Sequence, residues 1–203
     1  MNPTLRPAAL NRGPAILAAT TLIALAIGFR LLRVTVLPEL PNFSPIMALA
    51  ICGALILPGR LALVVPLVAL ALTDLALNFR YGVALFSPAE LLSYACYAIG
   101  VASGLGLRRR GAGSLATLGT VGANSFLFYV VTNSVCWLDN PAYAKTAAGW
   151  AQALVFGVPG FPPTWMFFSY SLASDLLFTG GFLVVMHLLA REPSVTEPTA
   201  LRA

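Results

Sequence analysis

The chain has 203 residues, of which 59% are hydrophobic and 9% charged, with a net charge of +5 and a mean hydropathy of +0.85. A soluble domain carries about 25% charged residues, so this composition excludes one and points to a membrane protein. The basic residues stand at the ends of apolar segments rather than on one folded face, which argues against nucleic-acid binding.

Apolar runs between charges and turn signals predict an all-α polytopic bundle of six transmembrane helices, given that about 20 residues cross about 30 Å of hydrocarbon. A tail over 1–13 precedes a single transmembrane domain over 14–190, and a tail over 191–203 follows it. The first span covers Pro14 to Leu32; a cleaved signal peptide is the alternative there, since Arg6 and Arg12 precede an apolar run containing Ala24-Leu25-Ala26. The second, Pro45 to Leu57, is short for a crossing and is read as tilted, thinned or partly re-entrant. The third spans Leu61 to Phe79 and the fourth Pro88 to Leu107. Ser87, Pro88 and Glu90 have the spacing of a capping box, and Phe43-Ser44-Pro45 opens the second span in the same way without the Glu. The fifth runs from Ser114 to Leu138 and the sixth from Thr164 to Ala190. Between these two, 147–158 reads as a short interfacial helix ending in Pro159-Gly160-Phe161-Pro162-Pro163.

Six spans with both termini in the cytoplasm put Arg6, Arg12, Arg60, Arg108, Arg109, Arg110, Arg191 and Arg202 inside. Arg30, Arg33, Arg80 and Lys145 then lie outside, a division of eight against four that supports this orientation; the membrane is expected to be a cell inner membrane. Trp137, Trp150 and Trp165 gather near the outer face, as interfacial aromatics do.

Two acids stand within these apolar runs, Asp74 and Asp175. An acid at membrane depth costs about 2.5 kcal/mol or more, so each is expected to face a shared, wet hollow opening to the outside. Asn78 shares the face of Asp74, Arg30 is the natural partner of Asp74, and Ser171, Asp175 and Thr179 form a stripe on the sixth span. Asn133 is a better site candidate than Asn124, which the nine-residue spacing turns to the other side and which reads as an interhelical tie. Candidate substrate-binding residues are therefore Asn42, Asp74, Asn78, Arg80, Asn133, Trp137 and Asp175, with Trp150 and Tyr81 at the rim. The loop 80–87 and the segment 159–163 would gate the hollow. Cys52, Cys96 and Cys136 read as buried free thiols, and one His with no His/Cys cluster predicts no metal and no cofactor. The absence of a GxSxG or other nucleophile motif argues against an enzyme, unless the two acids converge. Gly100 and Gly104 form a GxxxG, and Ala15 with Ala19, Ala24 with Gly28 and Gly119 with Ala123 are looser versions that imply close helix packing.

Pro41-Asn42-Phe43-Ser44-Pro45, Leu72-Thr73-Asp74, Asn78-Phe79, Ala123-Asn124-Ser125, Thr132-Asn133, Trp137-Leu138 and Asp175 to Thr179 resemble the markers of a bacterial family of uncharacterised multi-spanning membrane proteins, over roughly residues 40 to 187. The six-span plan is also similar to the substrate-capturing S components of energy-coupling-factor vitamin transporters. That similarity implies a vitamin-like cargo taken from the outer side and docking to a membrane coupling subunit through small residues of the first helix, here Ala15 and Ala19. One carrier of that broader group uses a cysteine near its cargo; Cys96 and Cys136 are the thiols on the outer half here. The alternative is an assembly or scaffold protein whose buried polar residues only tie helices together.

Overall fold

A computed structural model describes residues 17, 20, 21, 24, 25, 27–32, 42–82 and 88–189. Both predicted tails, the Ala15 and Ala19 pair, Arg33 and the Ser87 cap lie outside the described residues, as does the Tyr81 side chain. Among the described residues the fold is all helical. The first helix, α1, is seen over 27–32 and at 17, 20, 21, 24 and 25. It is followed by α2 (Ile46–Ile56), α3 (Leu61–Tyr81), α4 (Pro88–Arg110), α5 (Ser114–Asp139), α6 (Ala147–Val155) and α7 (Thr164–Leu189).

Four of these, α3, α4, α5 and α7, are long and apolar enough to cross a membrane. Their outward faces carry exposed Leu63, Val64, Leu72 and Phe79 on α3 and Leu177, Val184 and Leu188 on α7. Large apolar side chains in that number suit hydrocarbon rather than water, and the protein is an integral membrane helical bundle.

The helix that organises the bundle is the short one. At 1.5 Å per residue, the 11 residues of α2 cover about 16 Å, half of the hydrocarbon thickness. It is apolar all round, Met47 to Ala54 are buried without a break, and α3, α4, α5 and α7 surround it. The residues directly flanking α2, Pro45 and Leu57, are buried, while the turn that follows is exposed at Pro58, Gly59 and Arg60. Close approach to α4 depends on the GxxxG: a Cβ on Gly104 would stand 2.6 Å from the Ile51 carbonyl oxygen, and one on Gly100 2.6 Å from the Met47 sulfur. That motif faces inward. Gly119 of the fifth span has open space around it, so the looser motif there does not pack within the chain.

Both ends of α2 are closed by side chains from elsewhere. Pro45, not Ser44, occupies the N-cap position, and no side chain of the local sequence caps the helix. The Ser44 hydroxyl is buried without a hydrogen-bond partner among the described residues, so the expected Ser-Pro cap does not form. Instead Asp175 of α7 accepts the Ala48 amide at 3.0 Å, across 127 residues of sequence. At the other end, the Arg108 guanidinium of α4 donates to the Leu57 carbonyl at 2.7 Å. An acid at the N-terminus and a cation at the C-terminus are the complements of the helix dipole.

The segment 147–158 is helical only to Val155; Gly157, at φ 75°, turns the chain out of the helix. Nine residues do not cross a bilayer, so α6 lies against the bundle. Its start is capped by Thr146, whose hydroxyl accepts the Gly149 amide at 3.2 Å.

Candidate functional site

A cavity of about 430 Å³ opens between α5, α7 and the chain that links them. Ser125, Tyr129, Thr132, Asn133 and Cys136 line one wall. Their spacing of four, seven, eight and eleven residues puts them on one face of α5. Thr164, Phe167, Phe168 and Ser171 of α7 form the opposite wall, and the Phe168 ring stacks on Tyr129 with centroids 4.6 Å apart. Asn140, Tyr143, Val158, Phe161 and Pro162 close the end, with Asn42, held at φ 60°, at the edge. None of these side chains is charged. The volume lies within the 300–1,000 Å³ of ordinary small-molecule sites.

The end of the cavity is tied down by hydrogen bonds. Trp150 of α6 donates its indole N–H to Ser134 at 2.8 Å, and Tyr129 donates to the Leu154 carbonyl. Trp137 donates to the Ala144 carbonyl at 2.8 Å, while Lys145 donates to the carbonyls of Trp137 and Asn140. A Cβ on Gly149 would fall 1.9 Å from the Ala144 carbonyl oxygen, so only glycine allows this hairpin. Burial pushes the Tyr143 phenol up, and the nearby Cys136 adds to it, so Tyr143 stays a neutral hydrogen-bonding group.

Asn42 and Asn133 are the sequence candidates that reach the cavity. Asn133 gives one N–H to the Tyr129 carbonyl at 2.8 Å, and its amide oxygen has no partner among the described residues. Asp175 follows Ser171 by one helical turn and lies just beneath the floor. It is 2% exposed, and its second oxygen accepts the Ser125 hydroxyl at 2.7 Å. Ser125 thus shields the acid from the cavity. Thr179, a further turn on, receives the Cys52 thiol at 3.9 Å and is part of the α2–α7 contact.

Asp74 is elsewhere, and the shared hollow expected for the two acids is not there. Asp74 pairs with Arg30 of α1, as the sequence predicts, and accepts the Tyr94 hydroxyl of α4 at 3.1 Å. Arg30 also donates to Thr73 at 2.9 Å. Asn78 donates to Glu90, so this pair ties α3 to α4. The space beside Arg30 and Thr73 is about 10 Å³, room for one water at most. Both groups are spent on holding helices. Arg80 is exposed at the end of α3, and the Trp137 indole is bonded within the hairpin, outside the cavity lining. Asn124 bonds within α5 and, at 3.5 Å, with Ser103 of α4, which is the interhelical role expected of it.

Ser125, Tyr129, Thr132, Phe168 and Tyr143 line the cavity, and none is charged. The polar periodicity of α5 is a sequence signal for the first three; Phe168 on α7 and Tyr143 in the α5–α6 link carry none. Cys52 and Cys96 are buried, whereas Cys136 is exposed at the cavity, correcting the expectation of three buried thiols. Among the described residues no group of three or more His, Cys, Asp or Glu side chains could hold a metal.

The fold and this site define a class: an integral membrane helical bundle with a ligand-sized cavity at one end, uncharged among the described residues. The chain belongs to a family of unknown function, DUF6580, whose model matches residues 10–197. No curated protein and no solved structure matches it.

Proposed function

We propose that this protein binds a small uncharged molecule in the α5–α7 cavity and serves as the substrate-capturing component of a membrane transporter. The observation that carries this is the cavity lining: amides, hydroxyls and aromatic rings, with no charged side chain among the described residues. Such walls recognise a neutral, partly planar compound by hydrogen bonds and ring contact, the chemistry of several vitamins. Asn133 would read the polar edge, and the Tyr129–Phe168 stack would hold the flat part. The two acids take no direct part, which departs from a site built around Asp74 and Asp175. No catalysis is assigned, since the acids share no hydrogen-bond partner. In this reading the cavity opens outward, both termini are cytoplasmic, the membrane is the inner one, and a coupling subunit docks on α1 near Ala15 and Ala19.

The test is thermal unfolding of the purified protein in detergent against a panel of neutral vitamins and related metabolites. A ligand should raise Tm, and Asn133→Ala or Phe168→Ala should remove that rise while Asp74→Asn does not change it. A rise that survives filling of the cavity by Ser171→Trp would refute the assignment, as would no rise across the panel. The second reading, an assembly or scaffold protein, is favoured by one observation: Asp74, Asp175, Asn78 and Asn124 are all engaged in ties between helices. It predicts stability losses from these positions and no ligand effect at all.

A further inference from the structure

A second hollow, about 380 Å³, lies at the opposite end of α2 from the cavity, between α1 and the turn that joins α2 to α3. Among the described residues it is walled, apart from Thr20, by apolar side chains: Ala24 and Ile27 of α1, with Leu57, Pro58, Leu61 and Val65. It is continuous with the lipid-facing surface of α3, where Leu61, Leu63 and Val64 are exposed. Two cations adjoin its lining residues: Arg60 stands exposed between Pro58 and Leu61, and the Arg108 guanidinium donates to the Leu57 carbonyl. Arg109 and Arg110 follow at the same end. The described acids are all remote from it: Asp74 lies thirteen residues along α3 from Leu61, Glu90 at the far end of α4, Asp139 at the end of α5, and Asp175 against the start of α2.

We propose that this groove is a site for one anionic phospholipid, with an acyl chain along α1 and the α2–α3 turn and the phosphate held by Arg60 and Arg108. An apolar trough opening onto hydrocarbon fits a chain, and two cations beside it fit a phosphate head. Arg108 uses one nitrogen on Leu57, and a guanidinium has further N–H donors for an anion. A free phosphate would use only the two arginines and leave the apolar trough without a role. The site is independent of the α5–α7 cavity, and neither assignment depends on the other.

The experiment is native mass spectrometry of the full delipidated chain, titrated with phosphatidylglycerol and with phosphatidylcholine of identical acyl chains. One arginine near a phosphate contributes about 1 kcal/mol, a factor of about five, so two should favour the anionic lipid by about 25-fold. Arg60→Gln should lower that preference about fivefold, Arg108→Lys should keep it, and Arg80→Gln should leave it unchanged. Arg80 is the right control because it lies at the other end of α3, about 30 Å away at 1.5 Å per residue. Equal uptake of the two lipids would overturn the proposal, as would an Arg80→Gln loss equal to that of Arg60→Gln. Arg60 is exposed and its side chain makes no hydrogen bond or ion pair among the described residues, so its variant carries the test even if an Arg108 variant fails to fold.

Discussion

Removing the Asp175 carboxyl should uncap α2 and loosen the centre of the bundle. In Asp175→Ala, the Ala48 amide loses its acceptor at 3.0 Å and the Ser125 hydroxyl loses its acceptor at 2.7 Å. A lost N-cap costs about 1–2 kcal/mol. An interhelical side-chain hydrogen bond in a membrane protein is worth about 0.6–1.7 kcal/mol. Asp175→Ala should therefore destabilise by roughly 2–3 kcal/mol. Asp175→Asn keeps an oxygen for the Ala48 amide and puts an NH₂ against Ser125, whose hydroxyl can turn to accept, so it should cost about 1 kcal/mol or less. Reversible unfolding in mixed micelles, followed by circular dichroism, measures both. Hydrogen exchange supplies the local readout: the first-turn amides of α2 should exchange faster in the Ala variant than in the Asn variant. Equal costs for the two variants, or a cost below about 0.5 kcal/mol for Ala, would refute the cap, since that much is the ordinary effect of a change supporting nothing.

The GxxxG facing α2 should be asymmetric. Gly104→Ala drives a Cβ against the Ile51 backbone and Ala54, which cannot give way, and should cost about 1–3 kcal/mol. Gly100→Ala meets the flexible end of Met47 and should cost clearly less; thermal unfolding of the two proteins compares them directly. Arg30→Ala leaves Asp74 partly buried with only Tyr94 as partner, and should cost more than the Arg30→Ala, Asp74→Asn double change. A double-mutant cycle on unfolding free energy checks it, and strict additivity would deny the pair any coupling.

Much of the architecture was readable because bilayer thickness sets helix length. The long runs 61–81, 88–110, 114–139 and 164–189 carry few charges, and turn signals separate them, so their bounds followed within three residues. The Arg30–Asp74 pair was legible for a related reason: at membrane depth an acid seeks a cation, and few cations were within reach. The role of Asp175 was hidden because its partner is a backbone amide 127 residues away, and every residue carries an amide. Sequence shows that Asp175 must be satisfied without showing by what. The same limit explains the cavity. An acid in an apolar run is a loud signal, but loud signals in hydrocarbon are the groups that most need neutralising, and helix ties do that work. The groups left facing open space are the ones cheap enough to stay partly unpaired, hydroxyls, amides and ring edges such as those of Thr132, Asn133 and Tyr143. In a bundle of this kind a ligand site is therefore better sought along uncharged polar faces, such as the one from Ser125 to Cys136, than at the buried charges.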